Sequence, residues 1–513
     1  MRGITKTFGK VVANDRVDLD IYRGEILSLL GENGSGKTTL MNMLSGIYYP
    51  DDGEIFIDGK PVSISSPKEA YSYGVGMVHQ HMKLIDVFTA AENIELGLKE
   101  NGKIDLAKSA RKINHISDAY GFDVTPEKKV YNMSVSEKQT TEIVKVLYRG
   151  ADILILDEPT DVLTPQETDR LFAVLRNMRD DGKAIVIITH KLNEVKELSD
   201  RVVVLRKGEV VGELKTEEAD EQEMTNMMVG HQVTLNIDRP EPLYPRPRIR
   251  VEGLCIKGPE GVRKIDDVSF TVNSGEILGV AGISGCGQKE LLEAIAGLQK
   301  VEKGQITYIS DSGREESLIG MDPEEIAEMG VALSFVPEDR LGMGLVGNMD
   351  LTDNMMLRSF RRGKTVFTDR KTPQKLAEHV VEELNVKTEA ITTPVRKLSG
   401  GNVQKILVGR EIASAPKVLL SAYVVRGLDI NSSYQIYDLI NKQKEKGVAV
   451  VFVGEDLDVL LELSDRIMVL CDGKMSGIVD ARTAKKRDIG LMMTQLGKPV
   501  EDADVTGGDQ SGK

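Results

Sequence analysis

The chain has 513 residues, enough for about three domains of ~150 residues each or for two larger ones. Its net charge of -14, lack of Trp and 4% aromatic content disfavour a nucleic-acid partner, because such proteins neutralise phosphates with Lys and Arg and stack bases on aromatic rings. The three cysteines are far apart, the N-terminus lacks the apolar core of a signal peptide and no hydrophobic run is long enough to span a bilayer, so we expect a cytosolic protein without disulfides.

The first motif follows the apolar strand pattern "EILSLL" and precedes a helical pattern. It begins at Gly31, and its Gly36, Lys37 and Thr38 complete the Walker A spacing. In such a loop, backbone N–H groups surround phosphates, the lysine reaches the β- and γ-phosphates and the hydroxyl holds Mg²⁺. The sequence therefore predicts an ATP and Mg²⁺ site formed by Gly31, Asn33, Gly34, Ser35, Gly36, Lys37, Thr38 and Thr39.

Four polar residues follow later apolar strand patterns in the same half. Gln80 follows "GVGMV", Asp157 and Glu158 end "ILILDE", and His190 follows "AIVIIT". Carboxyl ends of parallel strands meet at one edge of a sheet, where ligands bind. We expect Asp157 to orient Mg²⁺, Glu158 to act as general base, Gln80 to contact Mg²⁺ and the attacking water, and His190 to contact the γ-phosphate. Taken alone, each has an ordinary alternative as a solvated or structural strand-end residue.

Composition shifts divide the chain. A helical insert is predicted at about 81–133 within a first domain spanning 1–233. The segment 234–248 contains four prolines and is predicted to be an extended linker. The second domain is expected to span 249–498, and the polar tail 499–513 is expected to be disordered.

The two halves are related in sequence. "RGEILSLLGENGSGK" from Arg23 matches "SGEILGVAGISGCGQ" from Ser274, and "DRVVVLRKGEVVGEL" from Asp200 matches "DRIMVLCDGKMSGIV" from Asp465. Each half contains a strand, a phosphate loop and a helix, followed by further β-rich runs typical of a mostly parallel sheet. The predicted fold class is α/β, with two tandem P-loop units that each carry a helical insert.

The motifs in this order resemble those of the ATP-binding cassettes of the ABC ATPases. The first half has the Walker A loop, "MVHQ", "ILILDEP" and "IITH", and the second half has "KLSGGNVQK" from Lys397, which is similar to the family signature. The resemblance covers residues 1–498. It implies two ABC-type P-loop NTPase cassettes that pair head to tail, with ATP between the Walker A loop of one and the signature of the other. The implied signature residues are Ser399, Gly400, Gly401 and Asn402.

The second half departs from the family pattern at its nucleotide motifs. Its residues at the positions of Lys37, Thr38, Gln80, Asp157, Glu158 and His190 are Gln288, Lys289, Glu338, Ala422, Tyr423 and Glu455. The first-half signature keeps Ser134 but has Val135 and Ser136 where the family has glycines. The resemblance therefore implies that all the losses fall on one composite pocket, whereas the other is complete and also receives Asp429. Phe8 is expected to stack on adenine there, with Pro259 at the aligned position.

Among ABC ATPases, the chain resembles the ATP-binding subunits of bacterial simple-sugar and nucleoside importers, with the nucleoside branch favoured. The resemblance implies two integral-membrane permease partners, indirect work with an extracytoplasmic substrate-binding lipoprotein, and a location on the cytoplasmic face of the membrane. The cargo cannot be read from the motifs. Two alternatives remain: a soluble tandem-cassette ATPase acting on the ribosome as a translation factor, and an inactive regulatory cassette pair.

Overall fold

The computed structural model of the protein describes residues 1–9, 11–80, 82–98, 105–161, 163–230, 237–242, 244–258, 261–283, 285–335, 344–360, 368–412, 416–426, 428–454 and 456–494. Pro259, Glu338, Glu455 and the predicted tail 499–513 lie outside these residues. The chain divides into two compact units. The first comprises Met1–Asn236 with Gly427–Tyr434, and the second comprises Ile237–Arg426 with Gln435–Lys513.

The first unit begins with strands and alternates between strands and helices thereafter. Its elements are β1 Arg2–Phe8, β2 Val11–Val17, β3 Glu25–Leu30, α1 Lys37–Leu44, β4 Asp52–Ile57, β5 Lys60–Val62, α2 Pro67–Ser72, β6 Val75–Val78, α3 Ala90–Glu95, α4 Leu106–Tyr120, α5 Val135–Tyr148, β7 Ile153–Asp157, α6 Pro165–Asp180, β8 Ala184–Thr189, α7 Leu192–Leu198, β9 Arg201–Arg206, β10 Glu209–Lys215 and α8 Glu221–Val229.

The central sheet of the first unit is six-stranded, in the order β10-β9-β3-β8-β7-β6. Its strands are parallel except for β10, which pairs antiparallel with β9. The inner strands are continuous apolar runs, and every residue of β8 is buried because helices cover both faces of the sheet. A second sheet, β2-β1-β4-β5, is antiparallel. The α/β class predicted from the sequence is confirmed.

Helix starts in the first unit follow local capping chemistry. Thr89, Ser134 and Thr164 each accept a hydrogen bond from the third helical N–H, and a glutamate there bonds back to the cap. Of the range predicted as a helical insert, α3 and α4 are the described helices. Capping by Ser134 and Glu137 fixes the start of α5 at Val135.

The second unit repeats this order. Its elements are β11 Pro247–Lys257, β12 Arg263–Asn273, β13 Ile277–Gly282, α9 Gln288–Ile295, β14 Val301–Ile309, β15 Glu315–Ser317, α10 Pro323–Glu328, β16 Val331–Phe335, α11 Leu351–Met356, α12 Lys371–Glu383, α13 Gly400–Ile412, β17 Val418–Ala422, α14 Ile430–Glu445, β18 Ala449–Val453, α15 Leu457–Leu463, β19 Arg466–Cys471, β20 Lys474–Asp480 and α16 Lys486–Thr494.

The sheets of the second unit have the same topology as those of the first. The six-stranded sheet runs β16-β17-β18-β13-β19-β20, and the antiparallel sheet runs β12-β11-β14-β15. β11 begins at Pro247, inside the range predicted as linker. A proline is tolerated as the first residue of a strand, so proline content alone extended the predicted linker too far. Within the described residues, no helix has the length and apolar character needed to cross a bilayer.

Candidate functional site

The phosphate loop of the first unit joins β3 to α1. Gly34 and Gly36 have φ values of 81° and 101°, which L-residues with side chains rarely adopt. A Cβ on Gly36 would lie 2.3 Å from the carbonyl oxygen of Ala13. Backbone conformation therefore requires glycine at both positions, and close packing requires it at Gly36 as well.

Lys37 and Ser35 lie buried in this loop. The Lys37 Nζ donates to the carbonyl oxygens of Gly31, at 2.6 Å, and Glu32, at 2.9 Å. Burial lowers the pKa of Lys37, although Glu158 and Asp157 oppose that shift. The Ser35 Oγ is buried and has no hydrogen-bond partner among the described residues. Asn33, Gly34 and Thr38 are exposed and Thr39 is half-buried, so the loop presents polar groups on its open side.

Thr38 and Asp157 bring oxygen donors together beside the loop. The Thr38 Oγ1 donates to the Asp157 Oδ1 at 3.3 Å. Burial raises the pKa of Asp157 to about 6, although Thr38 and Lys37 lower it. A hydroxyl and a carboxylate are hard ligands of the kind Mg²⁺ prefers. The donor set and the glycine cradle fit a magnesium nucleotide.

Glu158 lies directly after β7, with a left-handed φ of 48°. Its N–H donates to the carbonyl oxygen of Ile188 at 3.0 Å, which anchors it to β8. The Oε1 is 3.0 Å from the Nδ1 of His190, and the Oε2 accepts from the Nε2 of Gln80. Burial alone would raise the pKa of Glu158, but hydrogen bonds with His190 and Asp161 and the nearby positive charges lower it to about 2. Glu158 is thus an ionised acceptor held on both oxygens.

His190 is bound in turn by the carboxylate. Burial would lower its pKa, but the hydrogen bond and charge of Glu158 raise it above the ordinary value. Gln80, Asp157, Glu158 and His190 therefore converge at the carboxyl edge of the sheet, as the order of strands and motifs predicts.

Asp161 and Lys191 also belong to this cluster, and the sequence analysis missed them. The Asp161 Oδ2 is 3.4 Å from the Gln80 Nε2, and its Oδ1 is 3.2 Å from the Lys191 Nζ. Burial raises the pKa of Asp161 to about 6, while Lys191 lowers it. Comparison of the two repeats could have identified these two residues, because the residue at each aligned position in the second half has the opposite charge.

Phe8 lies at the end of β1, and its side chain is 45% exposed. Its ring contacts Tyr48 edge to face, with ring centroids 5.3 Å apart, and the Lys6 Nζ lies 5.7 Å from the ring centroid. Tyr48 is an aromatic neighbour that the sequence analysis did not single out. The exposed ring has the surface that stacking on a base requires.

The sequence-predicted signature residues start a helix in the second unit. α13 begins at Gly400, directly after Ser399. The Asn402 Nδ2 donates to the Ser399 Oγ at 2.8 Å, and its Oδ1 accepts from the Lys387 N–H at 3.0 Å. With glycine at Gly400 and Gly401, the first turn offers N–H groups and a positive helix end without covering side chains.

The corresponding helix start in the first unit is already satisfied by its own side chains. The Ser134 Oγ accepts from the Glu137 N–H at 3.2 Å, and the Glu137 Oε2 accepts from the Ser134 N–H at 2.8 Å. This capping box places a carboxylate where a phosphate would otherwise bind. The pattern Ser-x-x-Glu that forms this capping box is visible in the sequence.

The phosphate loop of the second unit has the same backbone conformation as that of the first but lacks the side chains expected to bind phosphate and Mg²⁺. Gly285 and Gly287 have φ values of 87° and 100°. The Gln288 Nε2 donates to the Ile283 carbonyl oxygen at 3.2 Å, a neutral counterpart of the lysine contacts in the first unit. Lys289 lies 3.7 Å from Glu293 on its own helix.

The strand end that faces this loop has also lost its carboxylates. Ala422 is fully buried, and Tyr423 follows it with a φ of 57°. The Tyr423 N–H donates to the Val453 carbonyl oxygen at 3.2 Å. This anchor matches that of Glu158, but no described side chain here can hold a metal or accept a proton from water as Glu158 can.

Comparison with known proteins assigns the family. The profile of the family described as "ABC transporter" matches residues 14–161 and 265–421. The chain belongs to the ABC transporter family. Like the cassettes of this family, it is an ATPase, and its two tandem α/β cassettes confirm the predicted fold class.

Relatives of this ABC transporter chain are similar over nearly their whole length. It is 39% identical over 498 residues to the nucleoside import ATP-binding protein NupA of Lactococcus lactis subsp. cremoris, covering 96% of this chain and 97% of the relative. It is also 39% identical to the glucose import ATP-binding protein TsgD13 of Haloferax volcanii, with 99% and 97% covered. The archaeal ribosome recycling factor aABCE1, solved with the stalk protein aP1, has a TM-score of 0.63 at 17% identity, with 96% and 92% covered. That last likeness concerns the fold alone.

Proposed function

We propose that the chain is the ATP-hydrolysing subunit that energises import of nucleosides or simple sugars through partner membrane permeases. The observation that carries the proposal is the convergence of Lys37, Asp157, Glu158 and His190 in the first cassette, together with the loss of their counterparts in the second. The similarity to a nucleoside import protein and a glucose import protein supports import of nucleosides or simple sugars.

In this proposal the loop from Gly31 to Thr39 binds the phosphates of ATP, and Lys37 leaves its carbonyl partners to contact the β- and γ-phosphates. Mg²⁺, when bound, neutralises charge on the phosphates. Thr38 and Asp157, with Gln80, are the residues that would hold it. Phe8 stacks on adenine.

Glu158 and His190 are the residues that act on the attacking water. Glu158 is ionised and stays so well below neutral pH, so it is available to orient water and to accept its proton. Its low pKa makes it a weak base at equilibrium, and we infer that its main contribution is to orient the water. His190 fixes the carboxylate through the 3.0 Å contact, and its proposed second role is to contact the γ-phosphate.

The cassettes are proposed to pair head to tail, so that Ser399, Gly400, Gly401 and Asn402 complete the pocket of the first Walker A loop. Asp429 contributes to the same pocket. The pocket that pairs Gln288 and Ala422 with the capped helix at Ser134 does not hydrolyse ATP. One composite site then performs hydrolysis, while the other serves as a scaffold.

The partners follow from this role. Two permease subunits bind the cassettes at the cytoplasmic face of the membrane, and an extracytoplasmic lipoprotein delivers the cargo to them. The translation-factor alternative receives no support from the 17% likeness to a ribosome recycling factor, since identity this low concerns the fold alone. The regulatory alternative is disfavoured by the complete set of polar residues in the first cassette.

The test is ATP hydrolysis and uptake by the transporter reconstituted with its permeases. We expect Lys37→Ala and Glu158→Gln to lower turnover by at least about 100-fold, because the first removes a group that acts at the γ-phosphate and the second a group that acts on the attacking water. Lys289→Ala, at the position equivalent to Thr38, is the matched control and should keep near-normal turnover. Equal losses in all three variants would contradict a single hydrolytic site.

A further inference from the structure

A group of polar side chains in the first cassette lies beside Glu158 and His190 but is not part of the nucleotide motifs. The Lys191 Nζ lies 3.2 Å from the Asp161 Oδ1, 3.3 Å from the Glu194 Oε1 and 3.3 Å from the Thr160 Oγ1. The Glu194 carboxylate also accepts from the Thr160 Oγ1 at 2.5 Å and from the Thr189 Oγ1 at 3.3 Å. The Asp161–Lys191 ion pair is called the loop bridge below.

The loop bridge joins the two loops that carry the reacting groups. Asp161 follows β7 in the same loop as Glu158, and Lys191 is the residue after His190. Asp161 also contacts Gln80, with its Oδ2 3.4 Å from the Gln80 Nε2. The Lys191 N–H donates to the Thr189 Oγ1 at 3.0 Å, which fixes the backbone beside His190. Movement of either loop would therefore disturb the contact between Glu158 and His190.

At the two aligned positions the second repeat also has residues of opposite charge, in exchanged order. The repeats align without a gap from β7 to β10, and Arg426 and Asp456 occupy the positions of Asp161 and Lys191. A change at one position alone would have placed like charges at the two positions, and like charges repel. The surrounding polar residues have no such counterpart, because Thr160, Thr189 and Glu194 align with Val425, Gly454 and Val459. Opposite charge is thus the feature that the two repeats share.

The bridge is suited to positioning because both side chains are partly shielded. The side chain of Asp161 is 29% exposed and that of Lys191 is 28% exposed, so water screens the pair less than it screens a surface ion pair. A displacement of catalytic groups by about 1 Å can cost up to about 100-fold in rate without any change in their identity.

We propose that the Asp161–Lys191 bridge is a positioning element for ATP hydrolysis, holding the loop after β7 against the loop after β8 so that Glu158 and His190 keep their contact. The inference rests on the proposed function, since it concerns the same site. What matters in the bridge is the attraction between the loops, and either sign at either position supplies it. The second repeat's residues, introduced together, should therefore replace the first repeat's pair.

The experiment is a charge-exchange cycle in the full chain bound to its permeases. Asp161→Arg and Lys191→Asp are made singly and together. We expect each single variant to lower kcat about tenfold with KM for ATP changed by less than about twofold, and the double variant to recover most of the loss. Lys196→Asp is the matched control, because Lys196 lies on α7, the helix that begins directly after Lys191. Its Nζ is 3.6 Å from the Glu221 Oε1, and this pair is not part of the site. This variant should leave kcat unchanged.

A second measurement separates positioning from turnover. Hydrogen–deuterium exchange of peptides covering 157–164 and 189–198 should increase in both single variants and return in the double variant. Asp161→Asn and Lys191→Met, which are closer in size, should raise exchange in the same peptides and so separate loss of charge from misfolding.

The outcomes distinguish this inference from the proposed function. A double variant no better than the worse single variant, or an equal loss in Lys196→Asp, would overturn the positioning role. If the wild-type complex failed to hydrolyse ATP, the proposed function would fall, while the exchange data would still decide whether the bridge holds the two loops together.

Discussion

The two cassettes share a backbone at their nucleotide motifs and differ in the side chains it carries. Gly36 and Gly287 have φ values of 101° and 100°, and Glu158 and Tyr423 have φ values of 48° and 57°. Yet the positions of Lys37 and Asp157 in one cassette are occupied by Gln288 and Ala422 in the other. The difference teaches that packing requirements preserve the loop shapes, whereas chemistry depends on a few side chains that can be lost without loss of the fold.

The same contrast, with the roles reversed, appears at the signature helices. In the second cassette α13 begins with two glycines, and in the first the start of α5 is closed by Ser134 and Glu137. Each cassette therefore has one motif suited to phosphate and one that is not. This complementary loss supports the head-to-tail pairing proposed above, because it leaves one pocket complete.

The largest expected effect comes from exchanging the signatures. Gly400→Val with Gly401→Ser copies the first-half residues into the second half, and we expect at least about a 100-fold loss of ATP hydrolysis because side chains then cover the N–H groups that are proposed to bind the γ-phosphate. The measurement is steady-state hydrolysis by the permease-bound chain.

The control for this exchange is its mirror image in the first half. Val135→Gly with Ser136→Gly should leave hydrolysis within about twofold, because the pocket that it alters lacks Asp157 and Glu158 equivalents. Equal sensitivity of the two signatures would break the comparison between the cassettes.

A smaller effect is expected on the stability of the protein, from the buried carboxylate of Asp157, whose position is occupied by Ala422 in the second cassette. The folded-state pKa of Asp157 is raised to about 6, above its ordinary value near 3.9, so the folded protein binds this proton more tightly than the unfolded chain does. The resulting stabilisation is complete below about pH 4 and is lost as pH rises through about 6. In magnesium-free and nucleotide-free buffer, Asp157→Asn should therefore be more stable than the wild type at pH 7.5, by about 3 kcal/mol, and not at pH 4.

Calorimetry across this pH range checks the prediction, and the second cassette supplies the opposite change. Ala422→Asp places a carboxylate at the equivalent, fully buried position, where Gln288 replaces the lysine. We expect it to destabilise the protein at pH 7.5 by about 2 kcal/mol. Stabilisation by Ala422→Asp, or a pH-independent effect of Asp157→Asn, would contradict this account of the two strand ends.

The smallest effect concerns a serine in the core of the second cassette. Ser421 is fully buried at the position of Leu156, and its Oγ has no hydrogen-bond partner among the described residues. Ser421→Ala should stabilise the protein by about 1 kcal/mol, because an unsatisfied buried hydroxyl is removed. The measurement is the thermal unfolding midpoint.

Ser28 provides the matched control, because it is also buried in a central strand but its Oγ pairs with that of Ser199. Ser28→Ala should destabilise the protein by about 1 kcal/mol, since it leaves Ser199 without that partner. If both alanine variants shifted the midpoint in the same direction, the hydroxyl contacts would not explain their effects.

Much of the fold and the motif residues could be predicted from the sequence because their spacing is tied to backbone geometry. The glycine loop before Lys37 and the apolar strand before Asp157 each have a pattern that few other structures produce. The capping role of Glu137 was also readable, as a Ser-x-x-Glu pattern, but its consequence for phosphate binding needed the helix start at Val135.

Other features could not be read in the same way. A single charged residue such as Asp161 or Lys191 after a strand has no distinctive spacing, and only the three-dimensional contact at 3.2 Å pairs them. The start of β11 at Pro247 could not be predicted, because a high proline content favours a linker. The pairing of this strand depends on β12, which lies outside the range predicted as linker.

The left-handed residue that follows the sheet edge in the second cassette bears on protein design. A side-chain-bearing residue with this φ costs of order 1–2 kcal/mol relative to an extended or helical one, and Tyr423 keeps it although it has no carboxylate to orient. The main chain of the second cassette keeps the φ values of the first at these positions, so its loops need no rebuilding to carry the side chains of the first. Exchanges confined to side chains are therefore the first variants to make when designing a cassette pair with two hydrolytic sites.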